Sequence, residues 1–285
     1  MESNGAAGST IRPPFVRLAV ERSGDPESFT RTHFRFRAFN LAMVVSPPAW
    51  HPYCGVAPVP AAWWESWNFD PVLFAAIAIA GIVWWRRAGH LRAARKPAAA
   101  ALAVVLLLFV TPFCALSSAL FTARVVHHVL LATLLAPLLV AAFDMRRVPG
   151  SLAGWTAIQA LVFWAWHLPA AYSAALSSDA VFWAMQISIT LSAALWWTRV
   201  LRAEAGAAVL SLLATMVQMG LLGAILTFAG RAYYAPHWLT TQPWGLSPME
   251  DQQIAGIIMW APASAIYLLC ALTILYRSFA AEPAR

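Results

Sequence analysis

The chain has 285 residues, of which 61% are hydrophobic and only 11% charged, with a mean hydropathy of +0.65. That balance excludes an ordinary soluble domain and reads as a membrane protein, most of whose surface faces the lipid bilayer. The net charge of +7 and the pI near 9.9 come from basic residues flanking apolar runs, which is a topology signal and not a nucleic-acid footprint.

Residues 1–50 are polar and dotted with Arg12, Arg17, Arg22, Arg31, Arg35 and Arg37, a composition that reads as a disordered N-terminal extension. The stretch RAFNLAMVVS is too short and too weakly apolar for a signal peptide. Residues 1–42 read as dispensable, with Met43 as a candidate initiator.

Seven apolar runs follow, near 68–85, 98–119, 122–143, 152–172, 180–198, 207–229 and 252–276. Each approaches the roughly 20 helical residues that cross a hydrocarbon core. The first is the weakest, being purely apolar only from Val72, with Trp67 and Trp84–Trp85 suited to the two interfaces. The expectation is an all-α, polytopic membrane bundle of seven transmembrane helices over 51–279, with a short tail at 280–285. Arg86, Arg87, Arg92, Arg95, Lys96, Arg146, Arg147, Arg199, Arg202, Arg277 and Arg285 fall on one set of loops, against only Arg124 and Arg231 on the other. Basic loops stay in the cytoplasm, so the N-terminus is expected outside and the C-terminus inside. No internal repeat and no Gly-rich phosphate loop is present.

Polar residues within the runs then acquire a depth. Arg124, His127 and His128 occupy the first turns of the third run, placing the histidines roughly 8–12 Å below the outer surface. His167 lies at the outer end of the fourth run, Asp251 at the start of the seventh, and Met259 about two turns deeper. Met216 and Met219 of the sixth run sit nearer the midplane. Each has a plain reading beside a functional one: a histidine bonding a neighbouring helix, methionines filling gaps, Asp251 capping the seventh helix, and His90 and His237 as loop residues with no special role. Adjacent His127 and His128 point about 100° apart. His128, four residues from Arg124 on one face, is the better inward candidate.

The three cysteines, Cys54, Cys114 and Cys270, lie far apart without CxxC spacing, so neither a disulfide framework nor a zinc site is expected. Imidazole, thiol and thioether donors at an outer membrane face suit Cu(I), and haem iron takes His or Met as well. No serine or cysteine stands in a nucleophile elbow or triad pattern. No repeated halves signal a transporter. Metal or haem handling is the reading that remains.

The strings PYCG (52–55), WNFDPV (67–72), ARVVHHVLLATLLAPLL (123–139), FWAWHLPAAYSAAL (163–176), LGAILTFAGRAYY (222–234) and DQQIAGIIMWAP (251–262) together resemble the multi-spanning CtaG family of cytochrome c oxidase assembly factors. This family is distinct from the single-span copper chaperone that sometimes shares the name. The resemblance covers roughly residues 50–276. It implies a role in maturing haem–copper oxidases of bacterial inner membranes, with oxidase subunits as partners and copper supply as the step served. The candidate ligand set has His128 and His167 at its core, with His127, Asp251, Met259 and Cys54 as further donors. Many members carry a histidine four residues before the one matching His128. Here that place holds Arg124, which removes a two-histidine clamp on one helix; two replacements are open, His127 as the compensating ligand or the arginine holding a carboxylate such as Asp251 or a haem propionate. Copper acquisition, haem handling and ligand-free chaperoning of oxidase subunits are the three functions in play.

Overall fold

Prolines decide where the apolar runs break. In the computed structural model, which describes residues 50–143, 145 and 148–281, the described residues form helices joined by turns and loops and contain no strand. The N-terminal extension, apart from Trp50, and the basic pair Arg146 and Arg147 lie outside the described residues. The helices are α1 (Pro71–Ala88), α2 (Arg92–Phe109), α3 (Phe113–Ala119), α4 (Phe121–Leu130), α5 (Ala136–Phe143), α6 (Leu152–Trp166), α7 (Pro169–Ala175), α8 (Asp179–Val200), α9 (Ala205–Thr227), α10 (Pro248–Ile258) and α11 (Ser264–Ala281). The tail expected from residue 280 starts inside α11, which continues to Ala281.

Five helices are long and apolar enough to cross a membrane: α1, the continuous α4–α5, α8, α9 and the continuous α10–α11. Large apolar side chains such as Leu161, Leu210 and Val217 stand outward on them and on α6, the arrangement of a protein solvated by lipid. The two remaining runs are not single straight helices. The 98–119 run bends by 43° between α2 and α3, where Pro112 supplies no N–H to continue the ladder. The 152–172 run yields the 15-residue α6 and the short α7, because the residue before Pro169, Leu168, is held extended (φ −66°, ψ 130°).

Two proline-linked π turns interrupt the long helices. Leu131–Leu135 joins α4 to α5 just ahead of Pro137, and Met259–Ala263, which contains Pro262, joins α10 to α11. A proline leaves a carbonyl one turn earlier without its partner, and a widened turn accommodates that loss. Helix α10 begins with a capping box, Ser247 and Glu250 bonding each other's backbone N–H groups.

Helices α9 and α10 touch through glycine. A methyl group added at Gly223 would stand 2.6 Å from the Gly256 carbonyl oxygen and 2.9 Å from the Trp260 nitrogen, both backbone atoms. Small residues of this kind allow close helix approach in membranes, where packing replaces the hydrophobic drive. Gly223→Ala is therefore expected to destabilise the bundle by about 2 kcal/mol, seen as a lower melting temperature in detergent, while the exposed Gly206, with nothing near its added methyl, tolerates the same change.

The expectation that the cysteines form no bridge is corrected. Cys54 is disulfide-bonded to Cys114, with Cα atoms 5.2 Å apart. The partners are 60 residues apart in sequence, so no local spacing announces the bond. It staples the segment before α1 onto α3.

Candidate functional site

Two local features of the sequence position the candidate site. Leu120 is extended (ψ 129°) and starts a new helix at Phe121 with free amides at its end. The Asp251 carboxylate of α10 fills that need: it accepts from Phe121 N at 2.6 Å and Thr122 N at 3.0 Å, while the Thr122 hydroxyl donates to the Asp251 carbonyl at 2.8 Å. Asp251 thus caps α4 across the helix interface; its own helix is capped by Ser247 and Glu250. Locked in this way, α4 turns Arg124, His127 and His128 into the interior, where all three are fully buried. The second feature is WHLP, which ends α6 at His167. The Tyr234 hydroxyl donates to the His167 carbonyl at 2.8 Å, and the ring stacks on Phe163 with centroids 4.6 Å apart.

His128 and His167 come together from these two helices. Their ring centroids are 5.5 Å apart and nearly perpendicular, at 85°. His167 Nδ1 lies 2.7 Å from the Phe163 carbonyl, which can only accept, so the proton resides on Nδ1 and the lone pair on Nε2. That Nε2 is buried without a partner, as are both ring nitrogens of His128. A histidine whose second nitrogen is fixed by a carbonyl has the tautomer and orientation of a metal ligand.

The other expected donors are placed differently. His127 turns into an aromatic pocket, 4.9 Å from Phe109 and 6.1 Å from Phe113 between centroids. Met259 is fully buried at the first position of its π turn, against Gly223 of α9. The sulfur of Cys54 is consumed by the disulfide, so Cys54 offers no thiolate, a correction to its place among the candidate ligands. Arg124 does not pair with Asp251, whose oxygens are occupied by α4 amides. Its three guanidinium nitrogens have no hydrogen-bond partner, and its Cζ lies 5.1 Å from the Phe182 ring centre. Among the described residues no group of three or more His, Cys, Asp or Glu side chains is placed to hold a metal ion.

His237 is not the idle loop residue its position suggested. Its Nε2 accepts from the Tyr172 hydroxyl at 2.6 Å and its Nδ1 faces the Ala119 carbonyl at 3.3 Å. Burial pushes its pKa down to about 3, and the Arg124 charge adds to that shift. Phe121 and Tyr234 stack beside it at 3.8 Å between centroids. The density of aromatic residues and prolines in RAYYAPHWLTTQPW was the available signal, since a loop so rich in them packs a core of its own.

The sequence pattern of the cytochrome c oxidase caa3 assembly factor family (Caa3_CtaG) matches residues 76–281. The chain belongs to this family. The match takes in α4, α6 and α10, hence the histidine pair and its Asp251 support, and leaves Cys54 outside. Membership of the caa3 assembly factor family makes oxidase assembly the general role of the chain. No curated protein and no solved structure matches it.

Proposed function

We propose that this assembly factor holds Cu(I) between His128 and His167 and supplies it during maturation of a bacterial haem–copper oxidase, without catalysing a reaction itself. The observation that carries the reading is the pair of buried imidazoles, 5.5 Å apart on separate helices, with nitrogen lone pairs that nothing in the protein uses. Orphaned polar atoms in such a place are costly unless a ligand satisfies them. Two neutral donors suit a soft monovalent ion that accepts low coordination, whereas divalent ions seek four or more ligands. Bound copper would be the cargo; the protein fixes the imidazole tautomers, keeps water from the ion and surrounds it with phenyl rings. Haem is less well supported, because a macrocycle between the rings needs an open slot, whereas both rings are buried, with centroids 5.5 Å apart and Phe163 stacked on His167.

The copper-acquisition step is assigned to the outer face of the inner membrane, with oxidase subunits as partners. Seven crossings result when α2–α3 and α6–α7 each count as one. The Cys54–Cys114 disulfide supports an outward position for the segment before α1, because such bonds persist in oxidising compartments. A reporter active only in the cytoplasm is expected to work when fused after Arg285 and to fail in the loop at 230–247; the opposite pattern would invert the site.

Purified protein incubated with Cu(I) under reducing buffer that spares the disulfide is expected to retain about one ion per chain and to show no Soret absorbance. A Soret band from protein purified directly from cells would favour haem. Neither signal would leave a ligand-free chaperone.

A further inference from the structure

Helix α1 is pinned at both ends and stands off between them. At its start, Asn68 Nδ2 donates to the Phe109 carbonyl at 3.0 Å and Asn68 N to the Val110 carbonyl at 2.9 Å. At its end, Trp84 Nε1 donates to the Ala142 carbonyl at 3.0 Å. Along the helix only Leu73 and Ala88 are buried. Between the pins, α1, α2, α5 and α8 border an apolar cavity of about 790 Å³, and three of its lining alanines, Ala76, Ala80 and Ala99, are exposed. A smaller pocket of about 430 Å³ at the α1–α2 turn, lined by Trp85, Arg86, Gly89, His90 and Arg95, shares Trp85 and Arg95 with it. One groove therefore runs from a cationic mouth to an apolar interior.

We propose that this groove is a binding site for an anionic phospholipid, its phosphate at Arg86 and Arg95 and its acyl chains between α1 and α2. Charge complementarity selects the headgroup: residues 86–96 contain Arg86, Arg87, Arg92, Arg95 and Lys96 and no Asp or Glu, and no described residue lining either pocket is a carboxylate. Basic pockets between membrane helices recruit anionic lipids by this attraction. The lining selects the chains: below the mouth the walls are almost entirely aliphatic and aromatic side chains, and flexible acyl chains conform to such an irregular apolar hollow. Gln186 on the α8 wall is buried with both amide atoms unpartnered. It lies one helical turn from Trp183, which stacks on Phe109 at the far end from the cationic mouth, so it meets the lipid tails and takes no part in recognition.

The full chain in mild detergent can be melted with added phosphatidylglycerol, phosphatidylcholine or inorganic phosphate. Phosphatidylglycerol is expected to raise the melting temperature by about 5 °C more than phosphatidylcholine, and phosphate alone to leave it unchanged. The excess should disappear in Arg86→Gln/Arg95→Gln and persist in Arg86→Lys/Arg95→Lys. Ala80→Trp, which fills the groove, should reduce the rise from both lipids. Gln186→Leu should keep the excess. Should the glutamine pair fail to fold, the wild-type excess should still shrink in about 0.5 M salt, where exposed charges are screened. Equal stabilisation by both lipids, an excess indifferent to charge and salt, or an effect reproduced by phosphate alone would overturn the site. Loss of the excess in Gln186→Leu would overturn it in favour of a ligand with a polar group at mid-depth, such as a partner helix.

Discussion

His128→Ala and His167→Ala proteins are each expected to retain no more than about a tenth of the Cu(I) that the wild type holds, since loss of even a supporting partner at a metal site costs 10–100-fold. The site has two donors, and among the described residues no third carboxylate, imidazole or thiolate joins them in a cluster placed to hold a metal ion. Folding should suffer far less. His128→Ala removes two buried nitrogens that have no hydrogen-bond partner, relieving a desolvation cost of about 1–3 kcal/mol, and this offsets much of the cavity it leaves. His167→Ala also loses the bond to the Phe163 carbonyl, so its melting temperature should be the lower of the two. His127→Ala is the control: its ring packs on Phe109 and Phe113, with its centroid 6.2 Å from that of His128, so it should lose stability and keep copper. In cells, the two site variants should reach normal levels while their oxidase lacks copper beside its haem, with partial recovery in copper-rich medium. Full copper occupancy of the oxidase in both variants would sink the ligand assignment and leave the ligand-free chaperone ahead.

What the sequence revealed and what it concealed divide along physical lines. The apolar runs were legible because hydropathy over about 20 residues is a local property. The break at Pro112 and the extended Leu168 before Pro169 were also written locally, yet continuous hydrophobicity masked them. The divergence of His127 and His128, about 100° around the helix, followed from helix geometry alone, and the structure turns one toward Phe109 and the other toward His167. Depth arguments placed His128 and His167 in one layer; only the packing of α4 against the end of α6 could say that they meet. Long-range pairing stayed hidden. Nothing near Cys54 points to Cys114, and nothing near His237 points to Tyr172, because each bond closes between segments that the fold alone brings together. Asp251 is the instructive case: a carboxylate in the first turn of a helix reads as that helix's own cap, whereas Ser247 and Glu250 had already filled the role and freed it to serve α4.

That division of labour makes Asp251 the second strong test. Its carboxylate is fully buried and accepts two α4 amides. Asp251→Leu leaves two N–H groups without a partner, that of the buried Phe121 and that of the partly buried Thr122, and a fully buried orphan costs about 1–3 kcal/mol, a partly buried one less. The expected destabilisation is roughly 2–4 kcal/mol, with a marked drop in the level of protein in the membrane. Asp251→Asn keeps one acceptor oxygen but turns an NH₂ group toward an amide donor, so it should fall between leucine and wild type. The chain that does fold should keep its copper, since Asp251 acts on the histidines only by fixing the start of α4, whose amide ladder continues to His128. Melting temperature and copper per folded chain, measured together, separate the alternatives. An Asp251→Leu protein that melts like wild type yet loses Cu(I) would make this carboxylate a ligand, and the cap observed at Phe121 and Thr122 would then be incidental to its role.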